Sequence, residues 1–387
     1  MRFKRFRIIG VLMTVPTPEK EMDPVYVEAV GRHFEVVKFY WERTTPTVIV
    51  KTRGEGYRQY LMKPAFKALA DDLIGTPYLP RIRWIVSNYQ ISILKRPPAG
   101  EDDHTRNKLL FGATMLTILF DGYLRSNNPI LTQELMPGVP AIVNALVFTF
   151  AIILIFGVHE YGHKYIAVKR GINASQPYFI PAPPGMGGTL GAVIAQREPP
   201  VNRDALFDLG LAGPLAGFVV TIIVGLLGVS LSFVVTNTQA TMWMIEYSNI
   251  RFQITPQPLI LEMIINAIKP TLENEVLILH PVAFAAWVGC IVTSINLMPS
   301  WQLDGGHIIR ALVGRETHKI ISVAGVLLLV ISGYMFMGVL VAFFLMRPGG
   351  ESVEPLDDLS GISVSRRLGM ILYVFIMLLS LVSLIPM

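Results

Sequence analysis

The residues that could do chemistry are His159, Glu160 and His163, within the stretch His159-Glu160-Tyr161-Gly162-His163. Positions i and i+4 of a helix share one face, so both imidazoles can grip a single ion. Glu160, next to the first imidazole, can reach a water beside that ion. Two His ligands and a Glu base at this spacing are the pattern of zinc hydrolases, in which zinc lowers the pKa of a water to about 7. The stretch closes an uncharged run that begins after Glu134. Ala141 to Val158 is apolar or small apart from Asn144 and Thr149, long enough to read as a membrane-spanning helix. Ionisable groups are costly in that setting and mark function.

A catalytic zinc takes three protein ligands and keeps one position open. The candidate for the third is Asp304, the only acid between Glu275 and Glu316, at the end of a second uncharged run from Pro281 to Leu303. Pro299 should unwind the helix before it. Gly305 and Gly306 let the backbone turn and approach closely. From its own residues, Asp304 reads as the cap of a short helix starting near Gly306 slightly more readily than as a ligand.

Taken together, these stretches resemble the site-2 protease family of intramembrane zinc metalloproteases. Its two signatures stand here as His159 to His163 and as Asn296, Pro299, Leu303, Asp304 and Gly305, with Asp304 141 positions after His163. Pro177 to Pro181, Gly188 to Ile194, Leu206 to Gly217, and His280-Pro281 followed by Gly289 look like the subgroup found in archaea and, as EGY-type proteases, in plant plastids. The resemblance runs from about residue 109 to 312. It implies one zinc per chain held by His159, His163 and Asp304, with Glu160 as general base. It also implies that Asn296 donates a hydrogen bond to the oxyanion, with an interhelical hydrogen bond as the alternative. His307 would then be a neighbour of the ligands. Implied substrates are membrane-spanning proteins, cut within or near their spans. Trp301 departs from the pattern, since relatives often carry a small residue or glycine there. That bears on the shape beside the site and leaves the ligand set intact.

The elements that must position these residues follow from composition and pattern. The chain has 387 residues, 52% hydrophobic and 16% charged, against about 25% charged in an ordinary soluble protein. The expected fold is a polytopic α-helical membrane protein with about six transmembrane helices, a small N-terminal α+β soluble domain and a membrane-embedded β-hairpin-like segment. Domain boundaries are expected at 1–100 for the soluble domain, 101–108 for a linker and 109–387 for the membrane-embedded metalloprotease. With one cysteine, Cys290, no internal disulfide can form.

Residues 1–107 carry 18 Lys/Arg and 12 Asp/Glu, the remainder 15 and 16. A basic domain beside a membrane points to an anionic lipid surface. No aromatic-basic motif points to nucleic acid. Met1 to Gly10 reads as a basic arm or first strand. Alternation through Val36, Phe39 and Trp41 and through Val48 to Val50 predicts two strands around Thr44-Thr45-Pro46. Tyr57 to Leu73 has helical periodicity, and Ile82 to Leu94 alternates as a strand or hairpin. His33 reads as a surface residue.

Spans are expected at Leu109–Leu124, through His163, at Phe207–Val235, Pro281–Pro299 and Ile320–Met346, and from Leu368 on. Asp121, near the end of the first, is expected to reach the interface. Asp208 reads as a helix N-terminal charge. Gly210, Gly213, Ala216 and Gly217 permit close helix packing. His280 and His318 look interfacial. Pro258 to Ile268 reads as an interfacial helix. Pro177 to Gly191, rich in Pro and Gly yet apolar, predicts a re-entrant or interfacial hairpin with Thr189 to Ala195 extended. Such a hairpin could pair a substrate segment by strand addition.

With six alternating spans, Lys/Arg at 164, 169, 170, 197, 203, 310 and 315 share the side of the N-terminal domain. Those at 125, 251, 269, 347, 366 and 367 oppose them. The positive-inside rule then expects a multi-pass protein of the cell membrane with the N-terminal domain cytosolic. Broken helices carrying acids also suit a transporter or zinc-handling channel. That alternative class usually shows two related halves, and the sequence has no internal repeat.

Overall fold

The computed structural model describes residues 24–53, 59–98, 100, 103–185, 187–247, 255–347 and 354–382. The basic N-terminal stretch and Tyr57 lie outside them. The chain divides into two compact units, Met1–Arg96 and Pro97–Met387.

In the first unit, helix α1 (Pro24–His33) leads into strands β1 (Phe34–Glu42) and β2 (Thr45–Thr52). Helix α2 (Gln59–Asp72) precedes the hairpin of β3 (Tyr78–Ile85) and β4 (Asn88–Lys95). The sheet is antiparallel in the order β1-β2-β4-β3. The expected β1–β2 pair is present, and Ile82 to Leu94, expected as a strand or a hairpin, falls in the β3–β4 hairpin. Val86 and Ser87 turn the β3–β4 hairpin with φ of 46° and 62°, the left-handed pair a two-residue hairpin needs. Phe34, Val48, Val50, Phe66, Leu69, Leu73 and Ile91 form its buried core. His33 is half-buried and bonded to Asp72 at 2.9 Å.

The second unit is mostly helical: α3 (His104–Ser126), α4 (Ala141–Lys169), the hairpin β5 (Tyr178–Pro181) and β6 (Thr189–Val193), then α5 (Arg203–Leu231). Strand β7 (Phe233–Thr236), α6 (Asn237–Glu246), α7 (Leu259–Ile268) and β8 (Glu275–Ile278) precede α8 (Pro281–Asn296). Helices α9 (Asp304–Leu312), α10 (Arg315–Ile331), α11 (Met335–Leu345) and α12 (Val364–Ser380) complete it. Two of these, α4 and α5, are long and apolar enough to cross a membrane. Phe148, Ile152, Ile155, Val224, Ala285 and Val288 pack α4, α5 and α8 into its centre. The β5–β6 hairpin forms within the Pro- and Gly-rich apolar stretch expected to make a hairpin, with Thr189–Val193 extended.

Three expectations are corrected. Residues 320–346 are not one span. After α10 the chain reverses at Ser332-Gly333, with Gly333 at φ 88°, and α11 packs back on α10 around Gly338 and Val330. Both arms are apolar, so hydropathy alone cannot see the reversal.

The second correction follows from the first. Segment 354–366 returns to the polar layer at the start of α5 instead of crossing to the opposite side. Leu356 N–H donates to Pro200 O at 2.9 Å and Asp357 N–H to Val201 O at 2.9 Å. Ser363 N–H donates to Asp204 Oδ1 at 2.8 Å. Asp208 is paired with Arg366 at 3.0 Å and with Arg170, so its partners are specific cations and not the helix terminus alone.

The third concerns buried polar groups. Asp121 is 2% exposed, bound to Arg125 at 2.7 Å and to the Gly185 N–H at 2.5 Å. His280 and His318 are also buried; His280 Nδ1 accepts the Val282 N–H at the start of α8.

Candidate metal centre

Helix α4 presents His159 and His163 one turn apart on the face turned toward α5. A side chain could not sit opposite them. A Cβ at Gly213 would overlap the His163 ring, and one at Gly217 would stand 3.0 Å from His159. One turn earlier, a Cβ at Gly210 would meet the Asp304 carbonyl at 2.7 Å. The small-residue stripe that predicts close packing is thus the wall of the site. Its glycine spacing was the available signal, and its alignment with His159, His163 and Asp304 shows only in three dimensions.

Asp304 comes from the far side. Helix α8 ends at Asn296, and the chain turns through Leu297–Leu303 before Asp304 opens α9. Its carboxylate points to the imidazoles instead of capping α9, whose N-cap residue is Leu303 with no side-chain cap bond. Arg310, fully buried two turns further along, anchors α9 by a two-pronged contact with Asp358 at 3.0 and 2.7 Å. Arg203 joins Asp358 at 3.0 Å. These partners are 48 and 155 residues from Asp358, and neither pairing has a local sequence signal.

The three donor atoms form a nearly regular triangle. His159 Nε2 to His163 Nε2 is 3.1 Å, and Asp304 Oδ2 lies 3.3 Å from each. A tetrahedral zinc held at about 2.0–2.1 Å would space its donors about 3.3–3.4 Å apart. The residues fit that ion in type, number and spacing. His163 Nδ1 lies 2.9 Å from Leu209 O, so its N–H is engaged there and Nε2 keeps a lone pair for a metal. Among the described residues, this is the one His/Cys/Asp/Glu group close enough to hold a metal.

Of the remaining sequence-predicted residues, Glu160 is 7% exposed. Asn296 Nδ2 stands 3.3 Å from His159 Nε2, which links α8 to α4 at the cluster. Glu160, Asn296 and His307 line one cavity of about 880 Å³ with the three donors. It is also lined by β6 (Leu190, Ala192, Val193), by α11 (Phe336, Leu340, Phe344) and by the charged Arg197, Glu198 and Glu354. Strand β6 pairs with β5 alone among the described strands, so its second edge carries no strand.

With this geometry in place, similarity to known proteins is decisive. The model of Peptidase family M50 matches residues 147–340, half of the chain, and spans both α4 and Asp304. The chain belongs to peptidase family M50. It is 29% identical over 258 residues to "Probable zinc metalloprotease EGY2, chloroplastic" of Arabidopsis thaliana, covering 64% of this chain and 45% of that protein. It is 26% identical over 257 residues to "Probable zinc metalloprotease EGY1, chloroplastic" of Oryza sativa subsp. japonica, covering 63% and 42%. The chain therefore spans less than half the length of these relatives. No solved structure matches it significantly. The M50 assignment agrees with the resemblance drawn from the two motifs, and with a zinc-binding donor set.

Proposed function

We propose that the chain is an intramembrane zinc metalloendopeptidase that hydrolyses peptide bonds within or near the spans of membrane proteins. The observation that carries this is the His159–His163–Asp304 triangle, matched to one tetrahedral ion, beside a buried Glu and a cavity bounded by an unpaired strand edge. The names of the EGY relatives agree with it.

His159, His163 and Asp304 hold the metal. Zinc in such a donor set supplies Lewis acidity, making a water acidic enough to attack at neutral pH and polarising the carbonyl under attack. Glu160 accepts the proton as that water attacks, and returns it to the departing amine. The products are one carboxylate and one amine. Asn296 donates its amide N–H to the oxygen that gains charge as the carbonyl becomes tetrahedral. Leu209 O fixes the ring orientation of His163. A substrate helix must unwind before its backbone can be attacked, and the free edge of β6 can hold it extended by strand addition.

We further infer a multi-pass arrangement. Leu116, Phe120, Phe150, Ile371 and Phe375 on α3, α4 and α12 are exposed large apolar groups, as lipid contact requires. The α10–α11 reversal brings 347, 366 and 367 to the side of 164–203. The Lys/Arg balance between the two sides then changes from seven against six to ten against three. This strengthens the inference that the N-terminal unit faces the cytosol, across the cell membrane. Lys38 and Arg83 on that unit's strands would meet anionic headgroups. Activity in bilayers that does not respond to anionic lipid, in either the parent or a Lys38→Glu, Arg83→Glu variant, would count against that contact.

The test of the enzymatic reading is cleavage of single-span proteins by the purified full chain in a bilayer. Glu160→Gln should lower the rate on the order of 10²–10⁴-fold and keep its zinc. Asp304→Ala should lose both zinc and activity. Cleavage that survives Glu160→Gln would exclude the assigned base.

A further inference from the structure

Trp301 sits where a tryptophan is least expected. Its φ is 44°, in the left-handed region that glycine favours and bulky side chains rarely take. The turn does not need the ring. Trp301 N–H donates to Ser322 Oγ at 3.0 Å, and Ser300 Oγ donates to Ser322 O at 2.8 Å. The backbone is pinned to α10 by contacts that do not involve the 301 side chain, and glycine at 301 would allow them without strain. A strained bulky residue beside an active site points to a use for its side chain.

The indole lies flat on the Phe344 ring of α11, with centroids 5.0 Å apart and planes 6° from parallel. Both rings line the cavity that holds His159, Glu160 and His163, and Trp301 is three residues before Asp304. Strand β6 lines the same cavity. A peptide laid along β6 alternates its side chains between two faces. Such a peptide therefore presents alternate side chains within the cavity that the stacked rings also line.

We propose that Trp301, seated on Phe344, is a specificity-determining residue that restricts the substrate position beside the scissile bond to small side chains such as Gly, Ala or Ser. This rests on the protease reading above.

The experiment compares two single-span substrates that differ only in Ala or Leu at the residue beside the cut, with kcat/KM measured for the full chain in bilayers. The wild-type enzyme should favour Ala. Trp301→Gly should raise the Leu-to-Ala ratio by at least about tenfold, the scale on which pockets discriminate by size. Trp301→Phe should keep the wild-type preference. Phe344→Ala, which leaves the 301 turn untouched, should raise the ratio in the same direction. An unchanged ratio in both Trp301→Gly and Phe344→Ala, with wild-type cleavage intact, overturns the proposal and leaves the protease reading standing. A wild-type enzyme that cuts no membrane-anchored substrate overturns both.

Discussion

Two hairpins flank the metal-binding triangle, and they are held by different physics. The β5–β6 hairpin is fixed by directional bonds to one face of α3, at positions one turn apart. Thr117 Oγ1 donates to Gly188 O at 2.7 Å, and Asp121 Oδ1 accepts the Gly185 N–H at 2.5 Å. Arg125 Nη2 donates to Gly185 O at 3.2 Å, and Phe111 packs on Phe179. The α10–α11 hairpin is held mainly by apolar contact: Leu329, Tyr334 and Val341 cluster with Met298, and Phe344 stacks on Trp301. Hydrogen bonds to chosen backbone atoms fix a register, whereas apolar burial is non-directional and tolerates sliding. The difference extends to what each wall can read. A strand edge offers main-chain groups to any sequence; a helix wall offers only side chains. Damage to the first should slow cleavage of every substrate. Damage to the second should change which substrates are cut.

Among the hairpin variants, the largest effect is expected at Gly188. Its φ is 75°, and a Cβ there would overlap the backbone of Ile118 on α3. Backbone on both sides cannot yield as a side chain would, so Gly188→Val must push the hairpin off α3. Misplacing a substrate-binding element by about 1 Å can cost on the order of 100-fold in rate. Ala and Leu substrates should therefore both lose about that much, while zinc content stays at one per chain. A loss confined to one of the two substrates would break the contrast between the walls.

Asp121→Ala comes next. It leaves the partly buried Arg125 without its carboxylate and the Gly185 N–H without its acceptor. Removing one partner of a buried pair costs about 3–5 kcal/mol, and the lower end applies because Arg125 retains 26% exposure. The thermal midpoint should fall clearly. Asp121→Asn, which still accepts the Gly185 N–H, should fall less, and the Leu-to-Ala ratio should not move in either. Equal midpoints for the two variants would show that the hairpin contact contributes nothing.

Asp121 also marks the limit of what was legible in the sequence. The two histidines are legible because their chemistry is local, four apart on one helix; Asp304, a lone acid beside two glycines, reads from its own residues also as a helix cap and becomes a ligand only through the resemblance. The small-residue stripe on α5 and the strand alternation were equally local. Asp121 was misplaced because its partner at Gly185 is 64 positions away, and an acid near the end of an apolar run looks the same whether it faces water or a backbone amide. Arg310 carries no local signal for the same reason, its partner Asp358 lying 48 positions away. The reversal at Gly333 escaped because two packed apolar helices and one long span have the same hydropathy. Trp301 was legible as an oddity, and its backbone angle supplies the explanation.

The smallest effect, and the sharpest test of the contrast, is at Ser322. Its Oγ accepts the Trp301 N–H, and lies 3.4 Å from His318 Nε2; the His318 ring is in turn hydrogen-bonded to the Gly306 backbone. One hydroxyl on α10 thus holds the Trp301 N–H directly and, through the His318 ring, is linked to Gly306 in the first turn of α9. Ser322→Ala removes no apolar contact, but it leaves a buried N–H without its partner, at a cost of about 1–3 kcal/mol. The midpoint should fall by less than in Asp121→Ala. The Leu-to-Ala ratio should nevertheless rise toward that of Trp301→Gly, because the indole loses the seat that presses it on Phe344. A variant at Ser322 that slows both substrates equally would mean that the two hairpins serve the same purpose, and that the helical one sets position and not selectivity.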